Sequence, residues 1–288
     1  MRTAAIAAMC AATAWIANAQ FGGLINRAKD RIDGATSKAK PATDRAQRAA
    51  ENLKAWTPEE EQEIGEATAA KMIAMFGAVD SPKLERYVNL VGQSVAQFAP
   101  RQVPYRFGVL NSEIVGAFAL PGGFIFITST AVNGMTNEAQ LAGALGHEIV
   151  HVSERHLESA IRGRKNSAWA SEEAKAKFSS NSPEFLRKKA DAFLKDMFNM
   201  RLSRDKEDGA DERGTLMAAQ AGYAANGLLD FLRALSLAQS KPENQRAFGQ
   251  LLSTHPPFDE RIAHLTPIVD RSAQNGKTLE ARFTASLK

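Results

Sequence analysis

Residues 147–151 read His147-Glu148-Ile149-Val150-His151, within a stretch from Leu141 to His156 that holds no helix breaker after Gly146. A helix turns about 100° per residue, so two histidines four apart leave the same face one turn apart. Imidazoles at that spacing can share one zinc ion at about 2.0–2.1 Å each. Glu148 sits beside them, where a carboxylate can serve as general base in metal-assisted amide hydrolysis. Five residues are a short pattern, however, and the remainder of the chain has to supply the other parts of such a site.

A third ligand is needed, and its position separates the known arrangements. The metzincin extension requires Gly at 154 and His at 157, where this chain has Glu154 and Leu157. His156 falls five residues after His151 and nine after His147, off the metal-facing stripe, and reads as a solvated or capping histidine. A glutamate on a second helix about twenty residues on, as in thermolysin-type enzymes, would fall at Ala170 or Ser171; Glu172 and Glu173 are out of step but stay next in line. The better candidate is Glu207, in Ser203-Arg204-Asp205-Lys206-Glu207-Asp208-Gly209-Ala210-Asp211. Asp211 follows Glu207 by four residues and shares its helix face, so one acid can ligate while the other accepts the free ring N–H of a ligating histidine. The apolar run Leu216-Met217-Ala218-Ala219 directly after it points to a buried helix carrying its acids inward.

Other segments fall into register with this one. They are Thr57-Pro58-Glu59-Glu60-Glu61 with Ile64-Gly65, Ala117-Phe118-Ala119-Leu120-Pro121-Gly122-Gly123, and Arg155-His156 after the histidine motif. Gly222-Tyr223 and Ser253-Thr254-His255-Pro256-Pro257 with Arg261 complete the set. In this order, over roughly residues 56–270, the chain resembles the HtpX-like and CAAX-prenyl-protease-like zinc metallopeptidases, more closely their soluble periplasmic bacterial branch. The resemblance implies one Zn2+ per chain held by His147, His151 and Glu207, with Glu148 as catalytic base and Asp211 behind the ligands. It also implies that His255 and Arg261 donate to the oxyanion. Read from the residues alone, the same segment is a rigid Pro-Pro turn with a helix-capping Asp259 and a surface salt bridge, and His255 as a resting-state zinc ligand is a further alternative. The chain departs from the family in having Gly116 where Asn is usual, and Asp208-Gly209 where a bulky residue and an acid are common.

The predicted fold is α+β: a mostly helical, zincin-like metallopeptidase domain with a small β-sheet beside the motif helix. Thr57-Pro58-Glu59-Glu60 starts a helix that runs to Gly77, and Ser81-Pro82 starts another to about Phe98. Three strand-like runs follow, Tyr105–Leu110, Val115–Leu120 and Phe124–Thr128, and Thr136-Asn137-Glu138 begins the motif helix. By resemblance, Val115–Leu120 is the strand that pairs with an extended substrate; an ordinary core hairpin is the alternative. A polar insertion separates His156 from Arg201 and is broken at Ser179–Pro183, where the break could form a lid. Pro183 starts a helix whose stripe of Phe185, Leu186, Ala190, Phe193, Leu194 and Met197 reads as core. Residues 271–288 read as a C-terminal tail.

Residues 1–19 combine a basic start, an Ala-rich apolar stretch and Ala17-Asn18-Ala19, which reads as a signal peptide cleaved after Ala19. The single cysteine, Cys10, lies within it, so the processed chain would have no disulfide, thiolate ligand or cysteine nucleophile. No other segment reaches the 18 or so apolar residues of a membrane span. Segment 20–55 is basic, with eight Lys or Arg against four acids, while 56–288 is close to neutral. Its helical spacing of Phe21, Leu24, Ile25, Ala28 and Ile32 suits peripheral membrane or envelope-complex contact, packing on the catalytic domain, or a spacer. Nucleic-acid binding is excluded by the lack of aromatic interleaving and by export. The expected protein is a periplasmic endopeptidase of unfolded or misassembled envelope proteins, with release to the medium as a second destination. The rival reading is a zinc-stabilised chaperone-like or binding module that does not cut.

Overall fold

The computed structural model describes residues 55–163, 183–272 and 275–288. The predicted signal peptide, segment 20–54, and the break at 179–182 with its candidate lid lie outside the described residues, as do Glu172 and Glu173.

Local sequence signals account for the first helices. α1 (Pro58–Phe76) opens on a reciprocal capping box: Thr57 Oγ1 accepts the Glu60 amide at 3.2 Å, and Glu60 Oε2 accepts the Thr57 amide at 2.9 Å. α2 (Pro82–Ala96) starts at Ser81, whose hydroxyl accepts from the Leu84 amide, and buries Val88, Val91 and Val95 along one stripe. Three strands follow, β1 (Arg106–Leu110), β2 (Ala117–Leu120) and β3 (Phe124–Thr128), in the order β1-β3-β2. β3 runs parallel to β1, with Phe107 opposite Ile125, and antiparallel to β2, with Phe118 opposite Phe126. Its sequence Phe-Ile-Phe-Ile-Thr is buried throughout because both faces are covered. Phe124 and Phe126 pack with Trp56, Ile64 and Met72 on one side, while Ile125 and Ile127 join Val88, Leu141 and Leu145 on the other.

A short helix not foreseen from sequence, α3 (Ser129–Asn133), is capped by Thr128 and turns the chain into α4 (Glu138–Ser153), the motif helix. Every residue of α4 is buried. α5 (His156–Gly163) and α6 (Pro183–Phe198) follow, then α7 (Arg204–Gln220), α8 (Gly227–Gln239), α9 (Gln245–Thr254), α10 (Phe258–Arg271) and α11 (Glu280–Leu287). The α6 stripe does enter the core: Phe193, Leu194 and Met197 pack with Trp56 and Ile161. The domain is therefore the mostly helical α+β architecture expected, with three strands beside the motif helix. Among the described residues, no helix is long and apolar enough to cross a membrane.

The C-terminal residues differ from the tail expected after 271. The Thr278 carbonyl accepts the Glu138 amide at 3.0 Å and the Ala139 amide at 3.2 Å, so it satisfies first-turn N–H groups of α4. Glu138, fully buried, accepts from Tyr87 Oη at 2.7 Å and Tyr223 Oη at 2.8 Å and pairs with Arg282 of α11. Phe283 is 1% exposed and its ring lies 6.2 Å from that of Tyr87. The sequence conceals this because the docking partners, Tyr87, Glu138 and Tyr223, lie far away in the chain, and an eight-residue helix has too few turns to show a clear stripe. Truncating a buried Phe typically removes about 3–5 kcal/mol. Phe283→Ala is accordingly expected to lower the free energy of unfolding by about that amount, read from urea titration followed by circular dichroism. A loss under about 1 kcal/mol would show that the segment packs without stabilising the domain.

Candidate active site

Two helices carry the centre. α4 presents His147, Glu148 and His151, and α7 presents Glu207 and Asp211, with all five side chains buried. They meet because both helices have glycine at the crossing. A Cβ built on Gly146 would lie 2.6 Å from the Gly214 carbonyl oxygen, and one on Gly214 would lie 2.5 Å from the His147 amide nitrogen. Side chains there would push the helices apart and withdraw the acids from the histidines. Glu207 and Asp211, four residues apart on α7, both face α4.

The nitrogens and oxygens converge. His147 Nε2 and His151 Nε2 are 2.9 Å apart. Glu207 reaches them with Oε2 at 3.7 Å and Oε1 at 3.6 Å. His255, at the C-terminus of α9, adds Nε2 at 3.7 Å from Glu207 Oε2, and the four residues form a set whose donor atoms lie within 4.8 Å of one another. The loop bearing His255 is held by Arg201, which donates to the carbonyls of Leu252 at 2.8 Å and His255 at 2.9 Å. His147 turns its other nitrogen, Nδ1, to Asp211 Oδ1 at 2.8 Å, and His151 turns Nδ1 to the Nδ1 of His156 at 2.9 Å. In the tautomers that place both protons on Nδ1, two imidazole lone pairs would face each other in this buried space. Glu207 Oε2 is buried there without a hydrogen-bond partner. Such an arrangement is unfavourable on its own, and a cation at its centre would satisfy it. The residues fit a metal ion.

The electrostatics follow from burial. Desolvation pushes the Glu207 carboxyl up to about 7, against the attraction of His147 and Arg261. Desolvation also raises Glu148, opposed by the charges of His147 and Arg261 and by a hydrogen bond from the Ala119 backbone. His151 and His255 are held well below the ordinary histidine value, chiefly by burial and then by neighbouring positive charge. For His147, burial is outweighed by its hydrogen bond and charge interaction with Asp211, and the net shift is upward. Asp211 itself is desolvated, yet the Arg261 charge and hydrogen bonds hold its carboxyl well below the usual range.

Three placements depart from expectation. Arg261, expected as an oxyanion donor, is buried with Nε 2.9 Å and Nη2 2.5 Å from the two oxygens of Asp211. Its guanidinium lies at the Nδ1 side of His147, away from the ring nitrogen that faces the cluster, so it acts by holding Asp211. It is no surface salt bridge either, and Asp259 does not cap α10: the N-cap is Pro257, and Asp259 accepts from Ser236 instead. His156, expected solvated or capping, is 5% exposed and contacts His151. Gly116, one of the departures from the family pattern, lines the cleft on both sides of Glu148.

A cleft opens over the cluster on the His151 side, lined by β2, Leu157, Met197, Phe198 and Leu251. A second lobe lies on the His147 side, lined by Ala131, Ala144, Leu228, Phe231 and Leu235. β2 borders both, and its far edge has no strand partner among the described residues.

A buried centre with two helix-borne histidines, a carboxylate from a second helix and a glutamate beside them defines a metallopeptidase-type site. The description "Peptidase family M48" matches residues 82–269, more than half of the chain, and the chain belongs to that family. This agrees with the family resemblance read from the motifs. Relatives include the beta-barrel assembly-enhancing protease of Escherichia coli (strain K12), 25% identical over 236 residues that cover 77% of this chain and 48% of the relative. Another is the metalloprotease YcaL of the same strain, 22% identical over 205 residues, 71% of this chain and 76% of the relative. The mitochondrial metalloendopeptidase OMA1 of Arabidopsis thaliana is 29% identical over 178 residues, 59% of this chain and 34% of the relative. The chain thus spans about half the length of the first of these.

A pH dependence of metal uptake follows. A carboxylate must be deprotonated to ligate, and burial pushes the Glu207 carboxyl up to about 7. Divalent-metal affinity should therefore strengthen as pH rises from 6 to 8, with proton release seen by calorimetry in buffers of different ionisation enthalpy. In Glu207→Ala that step should vanish and metal content should fall strongly. Undiminished metal in that variant would mean another group is the third ligand.

Proposed function

We propose that this protein is a zinc-dependent endopeptidase that cuts unfolded or misassembled envelope proteins in the bacterial periplasm. The observation that carries the chemistry is the convergence of His147, His151 and Glu207 beside Glu148, under the edge strand β2. Two imidazole nitrogens and one carboxylate suit Zn2+ in a four-coordinate site with one position left for reaction. Zinc bound there would supply Lewis acidity and make water nucleophilic near neutral pH. Glu148 then takes a proton from the attacking water and returns it to the leaving amide nitrogen. Its elevated basicity, a product of burial, suits both halves of that transfer. Asp211, locked by Arg261, keeps the His147 ring oriented. His255 Nε2 belongs to the same donor set, so His255 could hold the ion as a further ligand or donate to the oxyanion.

Three features support an unfolded substrate. β2 offers backbone groups to an extended chain, and backbone pairing selects for extension over sequence. The lobes on either side of Glu148 are lined mainly by apolar side chains, which suits bulky apolar residues flanking the cut bond, and such residues are exposed in unfolded proteins. A relative is named for beta-barrel assembly. The signal-like residues 1–19 support the periplasm, and the basic segment 20–55 suits peripheral contact with the envelope.

General-base catalysis is worth about 10²–10⁴-fold. Casein cleavage by the purified protein should fall by that factor in Glu148→Gln with zinc content kept, and should stop with 1,10-phenanthroline. Full activity of Glu148→Gln would overturn the mechanism. A Glu148→Gln gene that rescued every phenotype of a deletion strain would instead favour the non-cutting, chaperone-like module. On peptides, Leu or Phe on both sides of the scissile bond should be cut at least about 10-fold faster than Asp, the order of one buried apolar side chain; equal rates would remove the apolar lobes from the argument.

A further inference from the structure

We propose that His156 is a positioning residue of the metal centre: it accepts the Nδ1–H of His151 and so aims the Nε2 lone pair of that ligand at the ion. The inference rests on the zinc reading above. α4 ends at Ser153 with Glu154 as its C-cap, and Arg155 then enters the left-handed region at φ 53°, a turn that brings the His156 ring back against His151. His151 Nε2 faces the cluster, so its Nδ1 must carry the proton and donate across the 2.9 Å to His156 Nδ1. His156 then carries its own proton on Nε2, 3.1 Å from Glu154 Oε2. Glu154 is paired with Arg213 of α7, with Nη2 at 2.8 Å from Oε2 and Nε at 2.5 Å from Oε1. Lys206, also on α7, holds the His156 carbonyl at 3.3 Å.

Each ligand histidine is thus backed by an acceptor, and each backing chain ends on an arginine: His147–Asp211–Arg261 and His151–His156–Glu154–Arg213. Gly209, which departs from the family pattern, acquires a reason here. A Cβ on it would stand 2.5 Å from Arg213 Nη2, so its absence lets the guanidinium lie across α7 toward Glu154. The chemistry of the two chains differs. A carboxylate backs His147, while a neutral imidazole backs His151 and donates less charge to its ligand.

Loss of an orienting partner typically weakens metal binding about 10–100-fold. In full-length protein, His156→Phe, which keeps a ring but no acceptor, should weaken Zn2+ affinity by that factor in competition with a chromophoric chelator. It should also shift the visible absorption of the Co2+-substituted protein. His156→Gln, whose amide can accept from His151 and donate to Glu154, should stay within about 3-fold of the parent. Long-range 15N NMR should place the His151 proton on Nδ1 in the parent protein. Folded His156→Phe with parental Zn2+ affinity overturns the proposal, as does an equal loss in Phe and Gln variants that share one drop in Tm. If the Phe variant does not fold, Glu154→Gln, one link further out, should still weaken Zn2+ binding several-fold, and no change there overturns it. A protein that binds zinc in this pattern yet cuts nothing would defeat the proposed function and leave the role of His156 standing.

Discussion

Everything in the centre depends on how closely α4 and α7 approach. How near two helices come depends on the side chains at their contact, and it sets how far residues on one can reach toward the other. Gly146 and Gly214 supply that approach, since each stands where the other helix's backbone would meet a Cβ. The crossing lies directly beside His147 and one turn beyond Asp211, so the closest backbone contact and the ion pair behind His147 coincide. Replacing either glycine would leave the sequence motif intact and separate its two halves.

That approach creates an electrostatic demand. Glu207, Asp211, Glu148 and Arg261 are all buried within one small volume. Charges so placed are tolerated only when paired or ligating. The structure divides them by task. Asp211 and Arg261 neutralise each other and form a fixed wall behind His147. Glu207 has no such arginine partner and retains a buried oxygen without a hydrogen bond. Two acids four residues apart on one helix, of the same chemical type, are thus driven in opposite directions by what stands beside them: Asp211 down, Glu207 up.

This division explains which parts could be read from the chain. The His147–His151 face, the helix starts at Thr57, Ser81 and Asn137, and the three strands rest on local periodicity and capping, which sequence records directly. The shared face of Glu207 and Asp211 was legible for the same reason. Arg261 was misplaced because its partner is fifty residues away, and nothing local shows whether a guanidinium faces a cleft or an acid. His156 was misread because the helical stripe was extended past α4, whereas the helix ends at Ser153 and the chain turns through the left-handed region at Arg155. The C-terminal segment failed for want of local signal: its stabilising contacts are made with Tyr87, Glu138 and Tyr223.

These misread elements have a common role. α4 is tied at its N-terminus by Thr278 and by the Glu138 network, at its middle by the glycine crossing, and at its C-terminus by Glu154 and His156. A helix held at one point can still turn about its axis. A ring roughly 7 Å from that axis moves about 1 Å for a rotation of about 10°, given a backbone radius near 2.3 Å. Displacements of that size are enough to lower catalytic rates about 100-fold. Fixing the helix at both ends and at the crossing removes this rotation, so the long-range contacts that the sequence hides are the ones that keep the legible motif in register with Glu207 and β2.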